Sequence, residues 1–210
     1  MKIDRFVLGA FETNSYVLRA DDQASSCIII DTGLGGAELI DFLEQNDLTP
    51  EAVILTHGHA DHIAALPTLH EKFPHAKVYV HKLDAEMLTG EKDNLSMMAG
   101  LPLTVAPADV LVDDGDVIDQ AGIKLNVIYT PGHSPGGVCL YVEDEGIIFV
   151  GDTLFEGSVG RTDFPGSSPG QLIGSIKQKL FKLPDETVVC PGHGPATTIA
   201  DEKKHNPFLR

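Results

Sequence analysis

Basic residues are scarce in this 210-residue chain: 15 Lys and Arg stand against 31 Asp and Glu, a formal net charge of −16 with His neutral. Nucleic acids and anionic membrane surfaces need a basic face, so this balance speaks against both as partners. Cysteine is also sparse. Cys27, Cys139 and Cys190 are dispersed, odd in number and set in apolar runs such as Cys27-Ile28-Ile29-Ile30. That pattern describes buried small hydrophobes rather than a disulfide framework, and it favours a reducing compartment. No stretch approaches the about 18 consecutive apolar residues of a membrane span, and Met1-Lys2-Ile3-Asp4-Arg5 leads into no signal-like segment. The expected setting is the cytoplasm. Low-complexity segments and clear interior linkers are missing too, so one domain over residues 1–210 is expected.

What is present is an ordinary globular balance, with 42% hydrophobic and 22% charged residues. The 21 glycines and 13 prolines predict many turns and short elements. Phe6-Val7-Leu8, Ser15-Tyr16-Val17-Leu18 and Cys27-Ile28-Ile29-Ile30 read as strands. Leu39, Ile40, Phe42 and Leu43 fall at helical spacing and predict a helix over 37–45. Gly33-Leu34-Gly35-Gly36 lacks the G-x-G-x-x-G spacing, with Glu38 at its sixth position, so it is a poor phosphate cradle. The weakly patterned stretch from Glu91 to Asp109 reads either as a lid or as a surface crossing.

One pattern recurs. Ala52-Val53-Ile54-Leu55 stops at Thr56-His57. Leu125-Asn126-Val127-Ile128-Tyr129 stops at Thr130-Pro131-Gly132-His133. Ile147-Ile148-Phe149-Val150 stops at Gly151-Asp152. Thr187-Val188-Val189-Cys190 stops at Pro191-Gly192-His193. Each apolar strand ends in a small-residue turn bearing a His or an Asp, the place where sheet proteins put ligands and catalysts.

His57-Gly58-His59-Ala60-Asp61-His62 packs four metal-ligand side chains into six residues. In an extended segment, positions two apart point the same way, so His57 and His59 can grip one ion. A helix starting near Asp61, supported by Ile63-Ala64-Ala65-Leu66, turns Asp61 and His62 toward a second. His70, His75, His81 and His205 have no ligand neighbours in sequence and read as surface or core residues. Cys190, three residues before His193, reads as core rather than ligand.

With these motifs in this order, the chain resembles the metallo-β-lactamase superfamily. The resemblance implies an α/β fold, a four-layer αββα sandwich, with a two-metal site between the sheets. It places His57, His59 and His133 on a first metal, Asp61, His62 and His193 on a second, and Asp152 bridging both. Such a donor set suits two divalent ions, Zn²⁺ first, with Fe or Mn as alternatives. Gly151-Asp152-Thr153-Leu154-Phe155, Gly160-Arg161-Thr162-Asp163-Phe164 and Pro191-Gly192-His193-Gly194-Pro195 resemble compact bacterial members of the glyoxalase II (hydroxyacylglutathione hydrolase) group. Two features depart from that group. Full-length members continue into a helical C-terminal domain that helps bind glutathione, whereas this sequence ends soon after His193. Pro195 stands where they carry a Tyr, and Ala64 where a Gly is usual.

The function these features imply is hydrolysis of a small acyl-thiol, a thioester such as S-lactoylglutathione, by a metal-bridging hydroxide that Asp61 orients. Arg161 is the candidate anchor for a substrate carboxylate, with an ion pair to Asp163 as the plainer role. Asp31 supports the ligand loops from behind or simply caps its turn. Gly132-His133-Ser134-Pro135-Gly136 formally matches a serine nucleophile elbow, but Pro135 lacks the N–H which that oxyanion hole requires. The alternative function is a mononuclear-iron persulfide dioxygenase of the same superfamily, using the places of His57, His133 and Asp152. A non-enzymatic metal-binding protein is the reading from another class.

Overall fold

Strands that are apolar on both faces need cover on both sides, and the central strands of this chain are of that kind. The computed structural model describes residues 1–210. Six strands, β1 (Lys2–Leu8), β2 (Thr13–Arg19), β3 (Ser26–Ile30), β4 (Thr49–Ile54), β5 (Lys77–His81) and β6 (Val110–Val112), form one sheet in chain order. The first three pair antiparallel and the rest parallel. The second sheet takes β7 (Val117–Gln120), β8 (Ile123–Tyr129), β9 (Val138–Val142) and β10 (Ile147–Gly151) as an antiparallel run. A small hairpin, β11 (Leu154–Phe155) and β12 (Ser158–Val159), stands apart. Then β13 (Val188–Pro191) joins β10 in parallel, and β14 (Thr197–Thr198) closes the edge.

Alternation along the strands separates three cores. Leu18, Ile28, Ile30 and Ile54 meet Leu125, Leu140 and Phe149 between the sheets. Val17, Cys27, Ile29 and Val53 face outward, under Leu39 and Leu43 of α1 (Ala37–Gln45) and Leu69. On the far side Cys139, Ile148, Val150 and Val189 pack under Leu172 and Ile176 of a later helix and under Ile199. The result is the expected four layers, helix–sheet–sheet–helix.

The expected helix over 37–45 is α1 to the residue. Gly36 opens it at φ 36°, and a methyl there would lie 2.5 Å from Ala65 Cβ. The glycine-rich turn thus serves helix packing, which needs the missing side chain. The helix expected from Asp61 is two helices, α2 (Ala60–Ile63) and α3 (Leu66–Lys72). The break has a cause distant in the chain. Ala65 N–H donates to Gly33 O at 3.1 Å instead of back along the helix, and Pro67 starts the next one. The outer layer behind the second sheet is α4 (Pro169–Gln178) and α5 (Ile199–His205). No helix is long and apolar enough to cross a membrane.

All three cysteines are free and buried. Cys190 lies in the inter-sheet core, and burial pushes its thiol up to about 11. His70, His75 and His205 are exposed, while His81 is buried and stacks on Tyr129 at 4.5 Å.

Candidate metal centre

The loops after β4, β8, β10 and β13 meet at one rim of the sandwich. Four backbone links hold them there. Asp31 N–H donates to Ile54 O at 3.1 Å, Val138 N–H to Thr56 O at 2.9 Å, Gly192 N–H to Gly151 O at 2.8 Å and Asn14 N–H to Gly192 O at 2.7 Å. Their side chains converge. His57, His59 and His133 form one trio, and Asp61, His62 and His193 another, with donor atoms in each trio within 4.8 Å of one another. A third group, His57, His62 and Asp152, lies between them. Asp152 Oδ2 sits 3.6 Å from both His133 Nε2 and His193 Nε2, and its Oδ1 sits 3.4 Å from His62 Nε2. Asp61 Oδ2 lies 3.2 Å from His193 Nε2. His59 presents Nδ1 inward, 2.9 Å from His133 Nε2.

Outward-facing atoms fix the rings. His57 Nδ1 meets Thr56 Oγ1 at 3.1 Å, His62 Nδ1 meets Asp31 Oδ2 at 2.8 Å, and His133 Nδ1 meets the carbonyl of Arg161 at 2.8 Å. Such outer partners set tautomer and orientation in metal sites. Asp31, at φ 52°, also accepts from Thr56 N–H at 2.8 Å and from its hydroxyl at 2.7 Å. It therefore backs the ligand loop directly.

The donors fit a divalent cation. His57 Nε2, His62 Nε2 and Asp152 Oδ1 are buried and make no hydrogen bond, although buried polar atoms almost always find a partner. A methyl at Gly192 would collide with Asp152 Oδ1 and lie 2.7 Å from His62 Cε1, so the loop comes close only because that side chain is absent. Charge agrees. Burial, then its neighbouring imidazoles, holds His57 well below its ordinary value, and burial with His133 takes His59 to about 3. Both are neutral donors at pH 7. Burial would raise Asp61, but His62 and a hydrogen bond from His193 hold it at about 2. Burial likewise opposes ionisation of Asp152, and His62 overcomes it. Chelating the metal is expected to lower Tm, with recovery on adding Zn²⁺. At a metal concentration 100-fold above Kd the difference is about 2.7 kcal/mol, read by thermal denaturation. An unchanged Tm would contradict the site.

Several supporting residues carried no local sequence signal. Asp84, fully buried, accepts from Gly58 N–H at 3.1 Å, Ser134 Oγ at 2.7 Å and Gly136 N–H at 2.5 Å. It ties the His57–His62 loop to the His133 loop. Ser134 is thus a buried donor to Asp84 and not an exposed nucleophile. Asn14 Nδ2 donates to the carbonyls of Pro191 and Gly194, both at 2.9 Å, and Tyr16 donates to Pro191 O at 2.7 Å. The only hint was three polar residues, Thr13, Asn14 and Ser15, in a strand that is buried throughout. The first half of the 91–109 stretch borders the cleft, with Asn94, Leu95, Met98 and Ala99 along it. Asn94 O accepts from Ala60 N–H at 2.8 Å, between two ligands, and Asn94 Nδ2 donates to Leu103 O at 2.9 Å. It forms a pinned wall beside the site.

A family model described as metallo-beta-lactamase superfamily matches residues 8–193. The chain belongs to that superfamily. Among relatives of this metallo-beta-lactamase superfamily chain, the probable metallo-hydrolase YqgX of Bacillus subtilis (strain 168) is 40% identical over 210 residues, covering 100% of this chain and 98% of its own. Hydroxyacylglutathione hydrolase GloC of Haemophilus influenzae is 33% identical, again over 100% of this chain and 98% of its own. The crystal structure of the BLEG-1 B3 metallo-beta-lactamase superposes with TM-score 0.94 at 40% identity, covering 99% of each chain. TTHA1623, solved in a di-iron-bound form, superposes with TM-score 0.87 at 37% identity, over 98% of this chain and 100% of its own. The superfamily's His/Asp metal site is therefore present here with its donors gathered, and the chain sits among metallo-hydrolases.

Proposed function

We propose that the protein hydrolyses the thioester of a small acyl-thiol, S-lactoylglutathione or a relative, with two divalent ions, Zn²⁺ first and Fe or Mn as alternatives. One observation carries this reading. The cleft over the site, about 500 Å³, has His59, Asp61, His133, Asp152, His193 and Arg161 as its titratable lining. Five of these are in the donor set, and a guanidinium keeps its proton. No free general acid is left to protonate a leaving group. An amine leaving from an amide needs that proton, whereas a thiol of pKa about 8.5 departs as thiolate. The resemblance to GloC supports the same class.

When bound, the cations supply a water of lowered pKa and a Lewis acid for the carbonyl. The chain's own groups do the rest. Asp61, held ionised and accepting from Thr13 Oγ1 at 3.3 Å, orients the attacking water. Asp31, Thr56 and the Arg161 carbonyl keep the imidazoles in register. Phe155 and Phe164 border the cleft and shed water from it.

Arg161 is the substrate-carboxylate anchor in this reading. Its side chain is 67% exposed, forks onto Asp163 at 3.0 and 2.8 Å and lies 4.4 Å from the Phe164 ring centroid. An exposed ion pair of this kind holds weakly, so a substrate carboxylate can displace Asp163. Arg161→Ala is expected to raise KM for an anionic thioester about tenfold. An unchanged KM would remove Arg161 from the reading.

The deciding experiment measures metal content and thiol release from S-lactoylglutathione, beside a lactone, a β-lactam and glutathione persulfide with an oxygen electrode. Thiol release with two bound ions supports the proposal. One iron with O₂ uptake on the persulfide would replace it with the dioxygenase. Bound metal without turnover of any substrate would make the protein a metal-binding one.

A further inference from the structure

A second hollow opens beside the metal centre, and the reading so far makes no use of it. Its volume is about 350 Å³. It shares Phe11, Ala60, Asp61 and Ala99 with the cleft, so the two adjoin along those residues. Beyond that mouth its walls are Leu34, Ala64, Leu101 and Leu103. Asp61, at the mouth, is its only charged residue. The one hydroxyl, Ser96 Oγ, is already spent, accepting from Leu103 N–H at 2.9 Å and donating to Glu91 O at 3.2 Å.

The walls are built rather than incidental. Leu34 lies just before α1, Ala64 caps α2, and the 94–103 wall is pinned by Asn94 and Ser96. Apolar surface is also left facing water here. Phe11 is 49% exposed, Leu101 54% and Met98 72%. Large apolar groups gathered at the mouth of a reaction cleft mark a ligand groove. Arg161 borders the cleft but not the hollow. A carboxylate of the thiol carrier held at Arg161 leaves the hollow, on the Asp61 side, for the other arm of the substrate.

We propose that this hollow is the acyl subsite, and that it takes an unbranched apolar acyl chain in preference to the short hydroxylated lactoyl group. The inference rests on the thioester reading and narrows its substrate class. A polar hydroxyacyl group entering the hollow would lose water without finding a partner, whereas each methylene gains from leaving water.

The test uses the metal-loaded protein and a series of glutathione thioesters: acetyl, butyryl, hexanoyl and lactoyl. From acetyl to hexanoyl, kcat/KM is expected to rise about fourfold per methylene. Ala64→Phe, which fills the hollow, is expected to abolish that rise, and Leu101→Ser, an exposed change safe for folding, to weaken it. A binding arm needs no turnover. Hexanoate is expected to bind tighter than acetate by calorimetry, with a negative ΔCp, and Ala64→Phe to erase the difference. A flat chain-length profile with thioesters still cleaved would overturn the acyl subsite and leave the thioesterase standing. A preference for lactoyl over butyryl would do the same. If no thioester is cleaved, both readings fall.

Discussion

His59→Ala is expected to lower thioester turnover by about three orders of magnitude while leaving the fold intact. The size follows from what the site supplies. Metal polarisation of a reacting carbonyl contributes several kcal/mol to the transition state, and each 1.36 kcal/mol is tenfold in rate. His59 is one of three imidazoles in its trio, and its Nδ1 has no other role than to face His133 Nε2 at 2.9 Å. The fold persists because His59 lies on a loop, outside all three apolar cores. The measurements are thiol release, metal stoichiometry and far-UV circular dichroism on the same preparation. Wild-type turnover with native-like dichroism would refute the trio. Asp61→Ala is held to the same standard, since it both faces His193 and orients water.

Asp84→Ala should produce the largest loss of stability. The substitution leaves Gly58 N–H, Gly136 N–H and Ser134 Oγ without their buried acceptor. Each such orphan costs about 1–3 kcal/mol, so a total of about 3–9 kcal/mol is expected, or roughly 10 °C or more in Tm. Burial raises the Asp84 carboxyl above its ordinary value, against the opposing effect of the hydrogen bonds from Ser134, Gly136 and Gly58. Metal affinity is expected to fall about tenfold as well, because Asp84 joins the two loops that carry His57, His59 and His133. Asp84→Asn keeps the shape and one acceptor but turns an N–H toward the donors, so it should fall between wild type and Ala. Thermal melts and a metal-competition titration read both effects. A Tm within 2 °C of wild type would show that the loops are held by other means.

The seven donors were legible from the chain because their signals are local. An apolar run that stops at a short turn bearing a His or Asp reports its own strand end, and four such stops appear in order. The helix at 37–45 was equally plain from the spacing of Leu39, Ile40 and Leu43. The single helix expected after Asp61 was not what formed, because the competing acceptor, Gly33 O, lies 32 residues away in the chain. Asp84 gave no sign for the same reason: Ser134 is 50 residues distant, and no periodicity links them. The fork of Arg161 onto Asp163 was readable at a separation of two, but the use of its carbonyl by His133 was not.

By itself, then, the order of residues determined which side chains gather as a metal-donor set and which strands carry them, and the family resemblance of those motifs implied how many layers cover the strands. The donors and their strands depend on residue type and spacing, written within a few neighbours. Only the tertiary structure decided what stands behind each imidazole, which wall borders the cleft and where an apolar hollow opens beside it. Those features are made by groups far apart along the chain. They come together because burying three apolar cores at once forces the loop ends of two sheets to one rim, where every buried donor must then find an acceptor.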